Sequence, residues 1–235
     1  MNNSINHEVL NIYIGFDEVE TVAYHTLSQS IIRHASAPVR ISPICSNHFK
    51  AFFNRPRDEK QSNDFSFTRF LVPYLNQYDG YAVFMDCDMM LRTDIFDVLR
   101  EVDEKNAVSV VQHDYTPTET VKYLNKVQYA YPRKNWSSFV VWNCGNLKNR
   151  TLTPKFVETA TGLDLHRFTW LEDNEIGNLN IGWNWLVGDY INPPRDIKNV
   201  HWTIGGPYFT ENYNVDFSSE WIEIHKEMNF CQQKK

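Results

Sequence analysis

The chain has 235 residues, of which 42% are hydrophobic, and a formal net charge of −6 at pH 7. This length and apolar content suffice for one sizeable core, so we predict a single domain over residues 1–235. The acidic balance and the lack of a basic stripe argue against nucleic acid as a partner.

The expected location follows from the termini, the hydropathy and the cysteines. The first residues are polar and form no signal-peptide core, and no apolar run approaches the roughly 18 residues of a membrane span. The 4 cysteines are scattered without a Cys-x-x-Cys pair, which is typical of reduced thiols. We therefore expect a cytoplasmic protein without a transmembrane segment, and contact with a membrane surface stays open.

The first part of the chain predicts a β-turn-α-β unit. Apolar runs at residues 9–14 and 39–44 are typical of strands, and a helical stripe of apolar residues lies between them, over residues 20–35. Such a unit opens a parallel, doubly wound sheet, so we expect an α/β fold. Open sheets of this kind bind ligands at the carboxyl ends of their strands.

Two residues directly after the first predicted strand are candidates for ligand binding. Gly15 would let a ligand approach the backbone closely because glycine has no side chain. Asp17 could hydrogen-bond a ribose or a base. A cap on the following helix is an equally common use of aspartate, so that alternative stays open.

Arg69 is the only charged residue in the strongly apolar segment 65–75, which predicts a short helix interrupted near Pro73. A guanidinium in this position could contact a nucleotide or neutralise an aspartate at the site. The alternative is an arginine whose stem lies along the core while its charge reaches solvent.

The central motif is an uncharged run over residues 81–85, followed by Asp86 and Asp88. The run predicts a strand buried on both faces, and two carboxylates at its end are costly unless their charge is compensated. Mg²⁺ or Mn²⁺ would compensate it, since hard cations prefer carboxylate oxygen and keep positions open for phosphate. We therefore predict a metal-dependent site for a diphosphate. A structure in which both carboxylates face away from any cavity, or form ion pairs with arginines, would contradict this prediction.

The rest of the chain alternates predicted elements with polar segments. Residues 113–136 are polar, rich in tyrosine and without clear periodicity, which is typical of a lid or an acceptor-side excursion. The other predicted elements are a helix that ends near Arg100, strands at residues 107–111, 138–142 and 183–187, and helices at residues 153–161 and 220–230.

His201 stands on an apolar run late in the chain, and Gly205 and Gly206 follow it. The histidine could supply a third metal ligand, and the glycine pair could form a backbone cradle for phosphate. A single histidine is more often a satisfied structural residue, so this prediction depends on the carboxylate pair.

Taken in order, these motifs resemble the GT-A glycosyltransferases, and most closely the retaining nucleotide-sugar enzymes of family 8. The resemblance covers residues 10–208 and implies a GT-A fold with a mainly parallel central sheet flanked by helices. It is carried by Gly15 and Asp17, Phe67-Thr68-Arg69, Met85-Asp86-Cys87-Asp88, Asn143-Cys144-Gly145, Asp173-Asn174-Glu175-Ile176-Gly177-Asn178, and His201.

The resemblance also implies a role for each motif. Asp86, Asp88 and His201 would hold Mn²⁺ or Mg²⁺, while Asp173 and Asn174 would lie beside the reacting carbon. The acceptor would be a glycan or another hydroxyl compound. The donor would be a nucleoside diphosphate sugar, in the first place a UDP-sugar, bound by Gly15, Asp17, Arg69, Asp86, Asn143, Gly145, Glu175, Gly205 and Gly206.

This sequence departs from the family pattern in three places. Asn174 stands where the family usually has glutamine, and no lysine follows His201 to hold the outer phosphate, although backbone N–H groups or Arg69 could substitute. Trp170-Leu171-Glu172-Asp173 also resembles the Glu-Asp motif of inverting GT-A enzymes, in which Asp173 would act as general base.

Three other functions share parts of the pattern. A phosphatase of the haloacid-dehalogenase type also carries Asp-x-Asp after a strand, but it usually continues with glycine or threonine, whereas Met89 follows here. A nucleotidyltransferase would need a glycine-rich loop before the first helix, which is missing. A non-catalytic module for nucleotide sugars or glycans would keep the fold without turnover. The donor sugar, the acceptor and the oligomeric state stay open.

Overall fold

The computed structural model describes residues 9–58, 61–114, 133–190 and 192–230, and it confirms the predicted α/β class. Its strands are β1 (Leu10–Gly15), β2 (Val39–Ile44), β3 (Tyr81–Met85), β4 (Met89–Leu91), β5 (Val108–Val110), β6 (Phe139–Asn143), β7 (Ile176–Asn178), β8 (Trp185–Leu186) and β9 (Asn199–His201). Its α-helices are α1 (Thr21–His34), α2 (Val72–Leu75), α3 (Pro154–Thr159), α4 (Gly162–His166) and α5 (Ser218–Asn229).

The strands form two sheets. The main sheet has six strands in the order β2-β1-β3-β6-β5-β7, and the second has three in the order β4-β9-β8. In the main sheet β6 is antiparallel to both of its neighbours, and the other pairs are parallel. The sheet is therefore mainly parallel, as predicted, with one reversed strand that the apolar pattern did not reveal.

The opening β1-α1-β2 unit forms as the sequence predicted. Ala23, Leu27 and Ile31 recur at helical spacing on α1 and are fully buried. The helix ends at His34, and its C-cap residue Ala35 already has an extended backbone. Full burial of Leu27 or Ile31 contributes roughly 1.5–3 kcal/mol each to the free energy of unfolding.

The apolar run over residues 81–91 divides between the two sheets. β3 pairs with β1 in the main sheet, while β4 pairs with β9 in the second sheet. The crossing between β3 and β4 consists of residues 86–88. Because the strand pairing is interrupted there, the backbone N–H and C=O groups of the crossing need other hydrogen-bond partners. The interruption also places the Asp-x-Asp motif where the two sheets meet.

Several local predictions were wrong in detail. The helix expected at residues 153–161 ends at Thr159, and a second helix, α4, begins at Gly162, where Thr161 and Asp164 form a capping box. Pro73 lies in the first turn of α2, which accepts proline without an interruption. β7 was not predicted, and the strand expected at residues 183–187 is reduced to β8.

Two further observations bear on the predicted organisation. Of the excursion expected over residues 113–136, residues 115–132 lie outside the described part of the chain. Among the helices that the structure describes, none is both long enough and apolar enough to cross a membrane.

Candidate functional site

The two predicted aspartates lie at the junction of the two sheets. The N–H of Asp86 donates to the carbonyl oxygen of Ser138 at 2.9 Å, beside the start of β6. The carbonyl oxygen of Asp88 accepts from the N–H of Trp202 at 3.0 Å, directly after β9. The crossing is thus fixed to one strand of each sheet, which positions both carboxylates.

His201 completes a cluster of three polar side chains. The antiparallel register of β4 and β9 pairs Met89 with His201, so the imidazole lies beside Asp88. One ligand atom from each of Asp86, Asp88 and His201 lies within 4.8 Å of the others. The structure therefore brings together all three residues that the sequence suggested as metal ligands.

One hydrogen bond fixes the orientation of the imidazole. The Nδ1 atom of His201 lies 2.8 Å from Oδ1 of Asn184. Asn184 uses its amide nitrogen to donate to Ser138 Oγ at 2.9 Å and to Asn135 O at 3.3 Å, so its oxygen is left to accept from Nδ1. A proton on Nδ1 directs the lone pair of Nε2 at the cluster, as in metal-binding histidines.

The donor set fits a divalent cation. Asp88 Oδ1 is buried and accepts no hydrogen bond from the described residues, and it faces His201 Nε2 at 3.2 Å. Two acceptor atoms this close repel each other unless a proton or a cation lies between them. Carboxylate oxygens with one imidazole nitrogen suit ions such as Mn²⁺ and Mg²⁺.

Arg69 is buried and forms an ion pair with Asp86, at 2.8 Å between Nη1 and Oδ1. The same Nη1 donates to the carbonyl oxygen of Ser137 at 2.9 Å, and the guanidinium lies 5.0 Å from the Phe84 ring centre. Of the three interpretations of Arg69 from the sequence, the structure supports the one in which its guanidinium neutralises an aspartate. The pair occupies one carboxylate of the motif only, because Asp88 faces His201.

The surroundings of Gly15 and Asp17 are filled by the protein itself. A Cβ on Gly15 would lie 2.3 Å from Phe65 Cδ2, so an aromatic ring, not a ligand, approaches this backbone. Asp17 Oδ1 accepts from Val19 N at 3.0 Å and Oδ2 from Asp64 N at 3.2 Å. Asp17 is therefore a cap, the alternative left open by the sequence, and it also ties a distant loop to β1.

The glycine pair after β9 differs from the predicted cradle. Gly205 has a φ of +118° and its N–H donates to Trp202 O at 3.0 Å, so that group is already used in a turn. The ring of Tyr208 covers Gly206, where a Cβ would lie 2.4 Å from Tyr208 Cε1. Glycine is required here for close packing and a left-handed backbone.

Asn143, Gly145 and Glu175 are not part of the cluster. Because β6 runs antiparallel to β3, Asn143 pairs with Tyr81 at the amino end of β3, about 16 Å from Asp86 at ~3.3 Å per residue. Gly145 N–H donates to Gly80 O, and Glu175 O accepts from Ala107 N at the same end of the sheet. The prediction for Asn143 and Gly145 assumed that the polar end of β6 lies at the ligand edge, but the reversed direction of β6 places them at the opposite edge of the sheet, and Glu175 lies there because it precedes β7.

Asp173 and Asn174 are exposed in the short turn before β7. The Asp173 side chain is 91% exposed and forms an ion pair with Arg133. No contact described in the structure joins either residue to Asp86, Asp88 or His201. Their proposed roles in catalysis stay predictions.

The polar residues that hold the cluster were not predicted from the sequence. Ser137 and Ser138 directly precede β6, and the reversed strand brings this end to Asp86. Asn184 is a fully buried amide between two tryptophans, and a lone amide in such an apolar run was the available signal. A lone amide of this kind predicts a buried polar side chain that must have a hydrogen-bond partner.

His113 lies near the cluster, after the carboxyl end of β5. Burial above all, and then the electrostatic influence of the nearby His201, lowers the pKa of His113 from 6.5 to about 3. Its Nδ1 atom is 2.8 Å from the Tyr190 hydroxyl, and the two rings are stacked. A neutral imidazole therefore packs on this side of the site.

Known structures share this architecture. The chain superposes on the bifunctional glycosyltransferase WbbM with a TM-score of 0.64 at 17% identity, over 99% of this chain and 53% of that one. The glycosyltransferase GlyE of Streptococcus pneumoniae TIGR4 gives 0.61 at 14% identity, over 93% and 60%. The galactosyltransferase LgtC, solved with donor and acceptor sugar analogs, gives 0.61 at 10% identity, over 95% and 98%. The chain thus spans about half to three fifths of the first two proteins, and these likenesses show the fold.

Sequence comparison identifies a much nearer relative. No family model matches the chain. Protein CDI of Arabidopsis thaliana is 43% identical over 240 residues, which cover 100% of this chain and 93% of that protein. The chain therefore belongs to the same family as Protein CDI, and it has the GT-A fold of the glycosyltransferases.

Proposed function

We propose that the protein is a metal-dependent glycosyltransferase that moves a sugar from a nucleoside diphosphate sugar to an acceptor hydroxyl. The observation that carries this proposal is the Asp86, Asp88 and His201 cluster at the carboxyl end of β3, in a GT-A fold. The carboxyl edge of an open α/β sheet is where ligands bind. The fold leaves the phosphatase alternative without support.

The residues of the cluster would act mainly through charge and position. Asp86, Asp88 and His201 would hold Mn²⁺ or Mg²⁺, which supplies positive charge for the diphosphate leaving group. Arg69 keeps Asp86 fixed through a buried ion pair. Burial of the cluster strengthens its attraction for charge because little water screens it.

The stereochemical outcome is proposed as retention, with inversion as the alternative. In the retaining reaction Asp173 and Asn174 would position sugar and acceptor, which lowers the entropic barrier. In the inverting reaction Asp173 would take the proton of the acceptor hydroxyl. The anomeric configuration of the product, measured by nuclear magnetic resonance, distinguishes the two.

The experiment that tests transfer follows release of nucleoside diphosphate. The protein is incubated with Mn²⁺, a panel of nucleotide sugars that begins with UDP-sugars, and glycan acceptors. We expect release with one donor, loss of release with a chelator, and loss in Asp88→Asn. The control variant is Asp103→Asn, an exposed carboxylate that pairs with Lys105 before β5. Release that is equal in both variants, or that persists without metal, would contradict the proposal.

A second candidate is a nucleotide-sugar binding protein without turnover. It is favoured by the position of Asp173, whose side chain is 91% exposed and paired with Arg133. Such a protein would bind a nucleotide sugar in the presence of Mn²⁺, and Asp88→Asn would weaken binding. No nucleoside diphosphate would be released with any acceptor, including water.

A further inference from the structure

Glu20 is a buried acid with no role in the helix that it precedes. It ends the 3-10 turn Glu18–Glu20 and occupies the N-cap of α1, yet its side chain forms no cap hydrogen bond. The residue is 2% exposed, whereas Glu18 of the same turn is exposed. A buried carboxylate needs hydrogen-bond donors, so its partners show what it does.

Both carboxylate oxygens of Glu20 have a partner close to the metal cluster. Oε1 accepts from the Tyr208 hydroxyl at 2.7 Å, and Oε2 lies 3.9 Å from Cys87 Sγ. Cys87 stands between Asp86 and Asp88, and Tyr208 lies in the loop that follows β9 and His201. One side chain therefore connects the start of α1, the Asp-x-Asp crossing and the loop after the third ligand. We name this set of Glu20, Cys87 and Tyr208 the Glu20 bridge.

The two partners of Glu20 remain donors. A phenol hydroxyl and a thiol each carry one hydrogen, and a carboxylate only accepts. The Tyr208 hydroxyl donates to Oε1 at 2.7 Å, and the Cys87 thiol is the weaker donor at 3.9 Å from Oε2. Both hydrogen bonds therefore run from the partner to Glu20.

Tyr208 fixes the loop after β9 through its ring as well as its hydroxyl. The ring folds back over Gly206, where a Cβ would lie 2.4 Å from Cε1, and its centre is 5.8 Å from that of Trp221 on α5. Replacement by phenylalanine keeps these ring contacts and removes the hydrogen bond to Glu20 alone. The hydrogen bond can therefore be tested separately from the packing.

The charges around Cys87 favour a cation. The carboxylates of Glu20, Asp86 and Asp88 lie around the thiol, and Arg69 forms an ion pair with Asp86. A divalent ion would be the largest local charge of the opposite sign.

We infer that Glu20 is a positioning residue for the metal cluster, which holds the Asp-x-Asp crossing and the loop after His201 in fixed relation. The inference rests on the proposed function, since it assumes that the cluster binds a metal ion. Partners behind a metal ligand typically change metal affinity by 10- to 100-fold when they are removed.

The test measures Mn²⁺ binding by titration calorimetry in the absence of any sugar. Glu20→Gln and Tyr208→Phe should each weaken binding by roughly tenfold. The double variant should be weaker by much less than the product of the two effects, because both changes remove one interaction. Glu18→Gln and Tyr78→Phe are the matched controls, and their affinities should equal that of the unmodified protein.

Hydrogen exchange supplies a second readout that does not depend on metal. Amides of residues 203–209 should exchange faster in Tyr208→Phe, and this milder variant also serves if Glu20→Gln does not fold. A purely structural role would lower the unfolding midpoint and leave Mn²⁺ affinity unchanged, which would overturn the inference. An unmodified protein that binds no Mn²⁺ would overturn the metal assignment itself, so the two failures are distinguishable.

Discussion

At the scale of single residues, the orientation of His201 depends on one amide. Asn184 is fully buried and accepts from His201 Nδ1, which leaves Nε2 directed at Asp88. A buried amide thus holds the imidazole in one tautomer, an arrangement typical of histidines that bind metal ions. The chemistry of the site is set by such contacts as much as by the ligands.

We predict that Asn184→Leu weakens Mn²⁺ binding by roughly 10- to 100-fold, because His201 loses its fixed orientation. Titration calorimetry measures the effect. Asn149→Leu is the control, since Asn149 is equally buried but donates to Ala107 O and Asn143 O at the other end of the sheet. Both variants should lose stability, and only Asn184→Leu should lose metal affinity. Equal affinities in the two variants would contradict this role of Asn184.

At the scale of the elements, Gly15 shows how β1 meets the segment at Phe65. The sequence suggested that a ligand approaches this glycine, but the Phe65 ring lies there, and a Cβ would be 2.3 Å from Cδ2. The position is constrained by packing. Gly15 lies at the carboxyl end of β1, where the sequence predicted it, and the Phe65 ring fills the space beside its backbone.

We predict that Gly15→Ala lowers the free energy of unfolding by about 1–3 kcal/mol, because the added methyl group overpacks the core. Urea unfolding measures the change. In Gly15→Ala combined with Phe65→Leu, part of the loss should be recovered. Gly145→Ala is the control, since its Cβ would meet no atom closer than 3.8 Å, and it should change stability by less than about 0.5 kcal/mol. A neutral Gly15→Ala would show that Phe65 does not pack tightly here.

The sequence predicted the elements better than their directions. The β1-α1-β2 unit follows from local apolar periodicity, and Asp86, Asp88 and His201 meet as expected. Asn143 was placed at the wrong end, because an apolar run gives a strand but not its direction in the sheet. Partners such as Asn184 and Glu20 were missed, since only tertiary packing brings their oxygens to their donors.

At the scale of the whole molecule, burial of His113 couples stability to pH. Its pKa is about 3 in the folded protein against an ordinary 6.5, so the unfolded chain binds the proton more readily. The stabilising contribution is present in full above pH 6.5 and is lost as the pH falls from about 6.5 toward 3. The stability of the fold is therefore sensitive to acid through His113.

We predict that the free energy of unfolding falls with decreasing pH below about 6.5, with up to ~1.4 kcal/mol per pH unit from this one proton. Urea unfolding between neutral and mildly acid pH measures the slope. His113→Gln should make the slope shallower, whereas His48→Gln, at an exposed position, should leave it unchanged. An identical slope in His113→Gln would show that His113 is not buried in its neutral form.

The central claim is that Asp86, Asp88 and His201 form a cation site, and Mn²⁺ titration of the unmodified protein tests it most directly. We expect one ion per chain. Asp88→Asn should weaken Mn²⁺ binding by more than roughly 100-fold, which is the upper end of the loss seen when a residue behind a metal ligand is removed. Asp103→Asn should bind as the unmodified protein does. Binding that is undetectable in the unmodified protein, or unchanged in Asp88→Asn, would contradict the account.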